Sequence, residues 1–292
     1  MDAFFLVDKP SGQTSFQTLR ELRAVLWIKK IGHTGTLDPL ATGALLVATG
    51  NYTKLIPYFE KDHKSYQATI MLDGISPSFD SDTEITYLSA EKQKYFSELL
   101  SQQKIEKIFQ ENFLWTISQI PPKYSALKIN GKRALDRVKS GENIQMKLRE
   151  VEIYSLKILS FVYPRLDIEI SVSAGTYIRS IAHDLWEILW CWWYLSALRR
   201  TRVGNLWEKH MLALQDISSE NTLDAHEIFS GKIFSLDDDM VFQRLQNGQR
   251  VKWDFLYPEN QDIILEYNGD LHFVVAYTNS VLHPKKCIIP SS

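Results

Sequence analysis

One short turn holds the densest chemistry in the chain. Residues 32–43 read GHTGTLDPLATG: three glycines, three threonines, His33 and a single carboxylate, Asp38, running straight into the apolar ALLVAT. A lone acid held rigid and shielded from water can act as a nucleophile or a general base. Pro39 drives Asp38 away from helical geometry toward an extended backbone, and Gly32, Gly35 and Gly43 let the chain bend sharply or lie close to a ligand. Two phosphate readings fail. The Walker pattern needs Lys and Ser/Thr after its last glycine, whereas Ala44 and Leu45 follow Gly43. A dinucleotide fingerprint follows a strand, and here the glycines precede one. An Asp-Pro turn by itself is more often only a turn, so the outcome depends on what the rest of the chain brings to Asp38.

The positioning elements follow from periodicity. AFFLV (3–7), ALLVAT (44–49) and SYQATIML (65–72) read as buried strands, and RLDIEISVS (165–173) as a half-buried one with Leu166, Ile168, Ile170 and Val172 on one side. Ser15 is placed to cap a helix carrying Phe16, Leu19, Leu22 and Leu26 on one face, and residues 90–110 suit another helix. GTYIRSIAHDLWEIL passes from strand to helix. Residues 120–150 carry eight basic side chains (Lys123, Lys128, Lys132, Arg133, Arg137, Lys139, Lys147, Arg149) against Asp136, Glu142 and Glu150, a local +5 in a chain of net charge −2. That is either a solvated face or a phosphate-contacting arm. Past residue 234 come short strands with turn signals, so the expected division is 1–233 and a β-rich module, 234–292.

Composition narrows the classes further. With 292 residues, 45% of them hydrophobic, the chain can build a sizeable core. Cys191 and Cys287 stand apart and outside any CxxC, against a zinc site or a disulfide framework. The start MDAFFLVDKPSG has no basic n-region, and the longest uncharged apolar run, ILWCWWYL (188–195), is too short for a bilayer. The expected location is cytoplasmic, with no membrane association.

Several blocks, in order, resemble the bacterial tRNA pseudouridine synthase B (TruB) family: DKPSGQTS (8–15), GHTGTLDPLATGALLVATGNYTK (32–54), KSYQATI (64–70), QIPPKYSALKINGKRA (119–134), SAGTYIRSIAHDL (173–185) and LSALRRTRVG (195–204). The resemblance implies a mixed α+β catalytic domain with a largely antiparallel central sheet and flanking helices, and a C-terminal PUA-like module. It implies isomerisation of uridine to pseudouridine at position 55 in the TΨC loop of tRNA, with residues 120–150 as an RNA-gripping insertion. Asp38 matches the catalytic aspartate, Tyr66 the tyrosine stacked on the base, and Arg179 the arginine paired with the carboxylate. Tyr177 and Leu198 match the base pocket, His33 a contact to the remodelled RNA loop, Lys9 the rim of the site, and Asp80 the second acid of a substrate-side element. The reaction breaks an N-glycosidic bond and makes a C–C bond with no net redox change, so neither a metal nor an organic cofactor is expected. The partner implied is the T-arm of tRNA, bound by a monomer that needs no other protein. A synthase for another RNA and a tRNA-folding chaperone with weak catalysis are the alternatives.

The chain departs from the family pattern in places. The acidic element reads SPSFDSDTE (76–84) and keeps only Asp80, and Leu135 replaces a tyrosine after GKRA. Glycine is expected at Trp27, Trp115, Trp186, Trp190 and at least one of Trp192 and Trp193. Either Trp186, Trp190 and Trp193 form an aromatic helix face, or the gene carries UGA codons that its host reads as glycine.

Overall fold

In a computed structural model the described residues are 1–59, 63–125, 127–253 and 261–288, without the Trp186 side chain. The strand Phe4–Lys9 explains the central architecture. Its first four residues are all buried, so it is apolar on both faces and both must be covered. Phe5 and Val7 join one core cluster with Leu19, Leu22 and Ile70; Phe4 and Leu6 join another with Ile264, Leu271 and Val274. The strand Thr42–Thr49 splits the same way, with Leu45 and Val47 on one side and Ala44, Leu46 and Ala48 on the other.

Around this pair runs a ten-stranded sheet. Its main path is Met211–Leu212, Phe4–Lys9, Thr42–Thr49, Tyr194–Val203, Lys64–Met71, Arg165–Val172, Arg149–Val162 and Trp115–Gln119. Two pairings are parallel, Phe4–Lys9 with Met211–Leu212 and Thr42–Thr49 with Tyr194–Val203; the other pairings along the path are antiparallel. The expected largely antiparallel sheet is therefore present, flanked by helices. In Arg165–Val172, Leu166, Ile168, Ile170 and Val172 are at most 1% exposed, as the alternation requires. A second sheet orders Ile233–Ser235, Gln261–Tyr267, Asp270–Thr278, Val281–Cys287 and Val251–Lys252.

Local chemistry corrects three expectations. The first helix, Ser15–Leu26, is capped by Thr14, whose hydroxyl accepts from Gln17 N while the Gln17 side chain accepts from Thr14 N. Ser15 is instead buried and bonded elsewhere, and Phe16 is 68% exposed, off the buried face of Thr18, Leu19 and Leu22. Residues 90–110 form two helices, Ala90–Leu99 and Gln102–Asn112, because Ser101 starts a new N-cap by accepting from Lys104 N. The third concerns tryptophan. The helix Ile178–Leu189 ends before Trp190 and Trp193, so these two share no helix face; Trp186's side chain lies outside the described residues. Trp193 is buried and stacked on Phe79 at 5.7 Å, whereas Trp27, Trp115 and Trp190 have φ of 52°, 70° and 54° and point into solvent.

Candidate active site

The turn around Asp38 is fixed from several sides before any ligand is considered. Ala41 N donates to Asp38 O at 3.0 Å, closing a tight turn over Pro39. The buried Ser15 hydroxyl accepts from Leu37 N (2.9 Å) and donates to Leu37 O (3.1 Å). Gly12 N donates to Pro39 O at 2.9 Å. Arg200, 2% exposed on Tyr194–Val203, donates from Nε to Ala44 O at 2.6 Å and from Nη2 to Gly35 O at 3.1 Å. Gly43 lies at φ +94° against the Arg200 backbone, where a Cβ would collide with the Arg200 carbonyl oxygen. This glycine is required by close approach as well as by its dihedral.

Asp38 lies in a cleft of about 380 Å³ lined by Tyr66, Tyr177, Arg179, Leu198 and Arg200 among others. Arg179, one residue into the helix Ile178–Leu189, crosses the cleft floor. Its Nη2 donates to Asp38 Oδ1 at 2.9 Å and to Tyr124 O at 2.9 Å; its Nη1 donates to Ser78 O at 3.0 Å and lies 3.4 Å from Asp80 Oδ2. The guanidinium is almost wholly buried and the Asp38 side chain 31% exposed, so the carboxylate is the member of the pair that faces the opening. Burial pushes the Asp38 carboxyl above the usual range, Arg179 opposes this, and the Asp80 charge adds to the rise. The result is a carboxylate whose ionised form is favoured chiefly by the Arg179 guanidinium and, after it, by the Lys9 charge. Tyr66 and Leu198, each 7% exposed, come from neighbouring strands and supply an aromatic face and an aliphatic wall. The Tyr177 ring lies under the Arg149 guanidinium, 4.7 Å from its centroid.

Five of the eight residues singled out from sequence thus line one cleft: Asp38, Arg179, Tyr66, Tyr177 and Leu198. Two occupy other places than expected. Lys9 is not at an open rim; it is fully buried, donating from Nζ to the carbonyls of Pro10 (2.8 Å), Gln13 (2.6 Å) and Pro39 (3.4 Å). Burial pulls its pKa down to about 8, opposed by Asp38, and its contact with Pro39 makes it a brace for the Asp38 turn. Asp80 is likewise 2% exposed and faces inward, accepting from the hydroxyl of Ser78, with Arg179 beyond, where it anchors the arginine. His33 sits half-buried on Ile31–His33, paired with Thr42–Thr49 and outside the cleft lining. Burial and then the nearby Arg200 charge lower its pKa to about 4, so near neutral pH it presents an uncharged ring.

Sequence reasoning missed Ser15, Arg200 and Gln119 as parts of the site. Gln119 is fully buried at the end of Trp115–Gln119; its Oε1 accepts from Tyr177 N (2.8 Å) and its Nε2 donates to Tyr177 O (3.0 Å). An amide just ahead of Pro121 and Pro122 is the only sequence signal for it, and nothing in sequence says that it is buried or what it faces. A larger hollow of about 800 Å³, walled by Phe79, Pro121, Met146 and His183, contains no residue of the Asp38 group, so size alone does not locate the chemistry. His183, Asp184 and Glu187 beside it hold their potential ligand atoms within 4.8 Å of one another, away from the Asp38 cleft lining. Among the described residues no helix is long and apolar enough to cross a membrane.

This cleft sets a rigidly held aspartate beside a buried arginine, an arrangement suited to nucleophilic or general-base chemistry in an enzyme active site. Residues 23–178 match the family model described as TruB family pseudouridylate synthase (N terminal domain). Among curated relatives, tRNA pseudouridine synthase B of Clostridium tetani is 34% identical over 257 residues, covering 86% of each chain. The Phocaeicola vulgatus protein of the same name is 38% identical over 227 residues, covering 76% of this chain and 93% of its own. That of Mycoplasmopsis pulmonis is 36% identical over 268 residues, 89% of each. Two solved structures share the fold: a chain of a Cbf5–Nop10–Gar1 complex (TM-score 0.73, 21% identity, 99% of this chain and 85% of that one) and one of an H/ACA RNP bound to a substrate RNA containing 2'-deoxyuridine (0.71, 19%, 99% and 85%). The chain belongs to the TruB family of pseudouridylate synthases.

Proposed function

We propose that this enzyme converts the TΨC-loop uridine of tRNA, uridine-55, to pseudouridine, with Asp38 as the nucleophile. The observation that carries the reading is the 2.9 Å contact of Arg179 Nη2 with Asp38 Oδ1 in the cleft, beside Tyr66 and Leu198. A uridine inside a folded RNA cannot reach that carboxylate without leaving its stack, so the target base is everted into the cleft. Tyr66 stacks on it and Leu198 packs its other side, offsetting part of the unstacking cost. Arg179 keeps Asp38 ionised as the base displaces water, which a bare carboxylate would resist. Asp38 forms a transient covalent adduct; the N1–C1′ glycosidic bond breaks, the uracil turns, C5 bonds to C1′ as the bond to Asp38 is released, and the proton lost from C5 is matched by one gained at N1. Tyr66, in the same cleft, helps take the C5 proton. His33 contacts the remodelled RNA loop as a neutral ring.

Exposed Lys128, Lys132 and Arg133, on a two-stranded hairpin beside the cleft residue Leu127, supply phosphate contacts. Residues 234–292 serve as the PUA-like RNA-binding module, and the enzyme works as a monomer. The test is to incubate purified protein with unmodified tRNA and a bare T-arm hairpin and map pseudouridine by base-specific chemical adducts. Product at uridine-55 in both supports the reading. Asp38→Asn must abolish it while tRNA still binds. Product elsewhere, or none with the wild type, overturns it.

A further inference from the structure

The strand end Gln119 and the segment after it hold the first turn of the Arg179 helix at three points. Gln119 brackets the Tyr177 backbone with both atoms of its amide, Ile120 O accepts from Ser180 Oγ at 2.7 Å, and Tyr124 O accepts from Arg179 Nη2. These ties flank Arg179 on both sides in sequence. They also come from the root of the basic 120–150 stretch. We propose that Gln119 is a positioning residue for catalysis: it sets the helix start so that Arg179 reaches Asp38 and Tyr177 faces the base. The geometry is specific to a carboxamide. Leucine fills the space and bonds neither group; glutamate accepts from Tyr177 N but leaves Tyr177 O without its donor.

This rests on the pseudouridine reading, and the wild-type control separates the two: no wild-type product defeats that reading, whereas the variants address Gln119. In single-turnover assays on tRNA, Gln119→Leu is expected to slow product formation about tenfold or more and to move the rise of rate with pH upward, because a displaced Arg179 holds Asp38 ionised less well. The Kd for tRNA should change less than about threefold, too little to account for the rate loss. Ser180→Ala, which removes only the tie to Ile120, should shift the profile the same way by less, and it serves where Gln119→Leu does not fold. A folded Gln119→Leu protein with the wild-type rate and pH profile overturns the proposal. So does an unshifted profile in Ser180→Ala when Gln119→Leu cannot be folded.

A second inference stands on different residues. Of the described non-glycine residues with positive φ, three are asparagine, a residue that tolerates this region, and three are tryptophan: Trp27, Trp115 and Trp190. These three are 94%, 75% and 79% exposed, so no packing holds them there. Trp27 follows the helix Ser15–Leu26 in the left-handed position with Ile28 N donating back to Arg23 O, and Trp190 follows the helix Ile178–Leu189 in the same sense; glycine is the residue of that position. The chain also has only 13 glycines, about 4% where roughly 7% is usual, beside eight tryptophans. Trp193, by contrast, is a packed core residue.

We infer that the protein made in its own host carries glycine at positions 27, 115 and 190, from UGA codons that the host reads as glycine and another genetic code reads as tryptophan. Sequencing the gene should show UGA at all three, and mass spectrometry of the native protein should show glycine in those peptides. UGG codons there overturn the inference. Trp27→Gly, Trp115→Gly and Trp190→Gly should each raise the melting temperature by roughly 2–4 °C; lower values for all three also count against it.

Discussion

Replacing Arg179 by alanine should change the pH dependence of the reaction more than its substrate affinity. At 2.9 Å and an effective dielectric of about 20, the gross attraction between Arg179 and Asp38 is about 6 kcal/mol. Water entering the vacated space returns part of that, and removing one partner of a buried pair costs ~3–5 kcal/mol. The Asp38 side chain is 31% exposed, so the lower end applies, ~3 kcal/mol. At ~1.4 kcal/mol per factor of ten, that energy is worth ~100-fold in rate where Asp38 is protonated, and losing the cation raises the Asp38 pKa. The sign follows from the proposed chemistry: a nucleophilic Asp38 acts as its carboxylate, so activity appears as pH rises through its pKa, and losing the cation moves that rise upward. Bound base excludes water and enlarges the shift. The assay is single-turnover pseudouridine formation with enzyme in excess over tRNA, between about pH 5 and 9. Arg179→Ala should be ~100-fold slow on the acidic side and recover partly toward the alkaline limit. A rate lowered by one constant factor at every pH would falsify the electrostatic role and leave Arg179 as a spacer.

Asp80→Asn should move the same profile the other way, because the Asp80 charge raises the Asp38 pKa; the rise shifts to lower pH, with a slower rate from a less firmly anchored Arg179, and an upward shift would contradict the arrangement. Gly43→Ala should destabilise the protein by ~2–3 kcal/mol, since it combines a φ of +94° with a collision at the Arg200 carbonyl; urea titration monitored by tryptophan fluorescence reads this out, and a change below ~0.5 kcal/mol would show that the strand pair relaxes. Changing Lys128, Lys132 and Arg133 together to glutamine should weaken tRNA binding and flatten its dependence on the logarithm of salt concentration by roughly 0.7–0.9 for each phosphate that is no longer neutralised. An unchanged slope would mean that the hairpin does not touch the backbone.

Much of this protein can be read along the chain because the relevant physics is local. Alternation in residues 165–172 fixes a strand with one buried face, and Pro39 beside three glycines fixes a rigid turn around Asp38. The residue types of the cleft are likewise legible, and the family pattern implies roles for them. Short-range competition was harder: Thr14 outcompetes Ser15 as a cap because Gln17 completes the reciprocal bond, and Ser101 splits one expected helix into two. Tertiary structure alone decided where Lys9 and Asp80 point. The family pattern puts Lys9 at the rim of the site and Asp80 on its substrate side, yet each turns inward, because the carbonyls of Pro10, Gln13 and Pro39 and the guanidinium of Arg179 offer contacts that replace water. The same holds for Gln119 and Arg200, whose partners lie 58 and 156 residues away in sequence. Periodicity and residue type report which side of an element is buried; only the folded sheet brings Asp38 within 2.9 Å of an arginine 141 positions downstream.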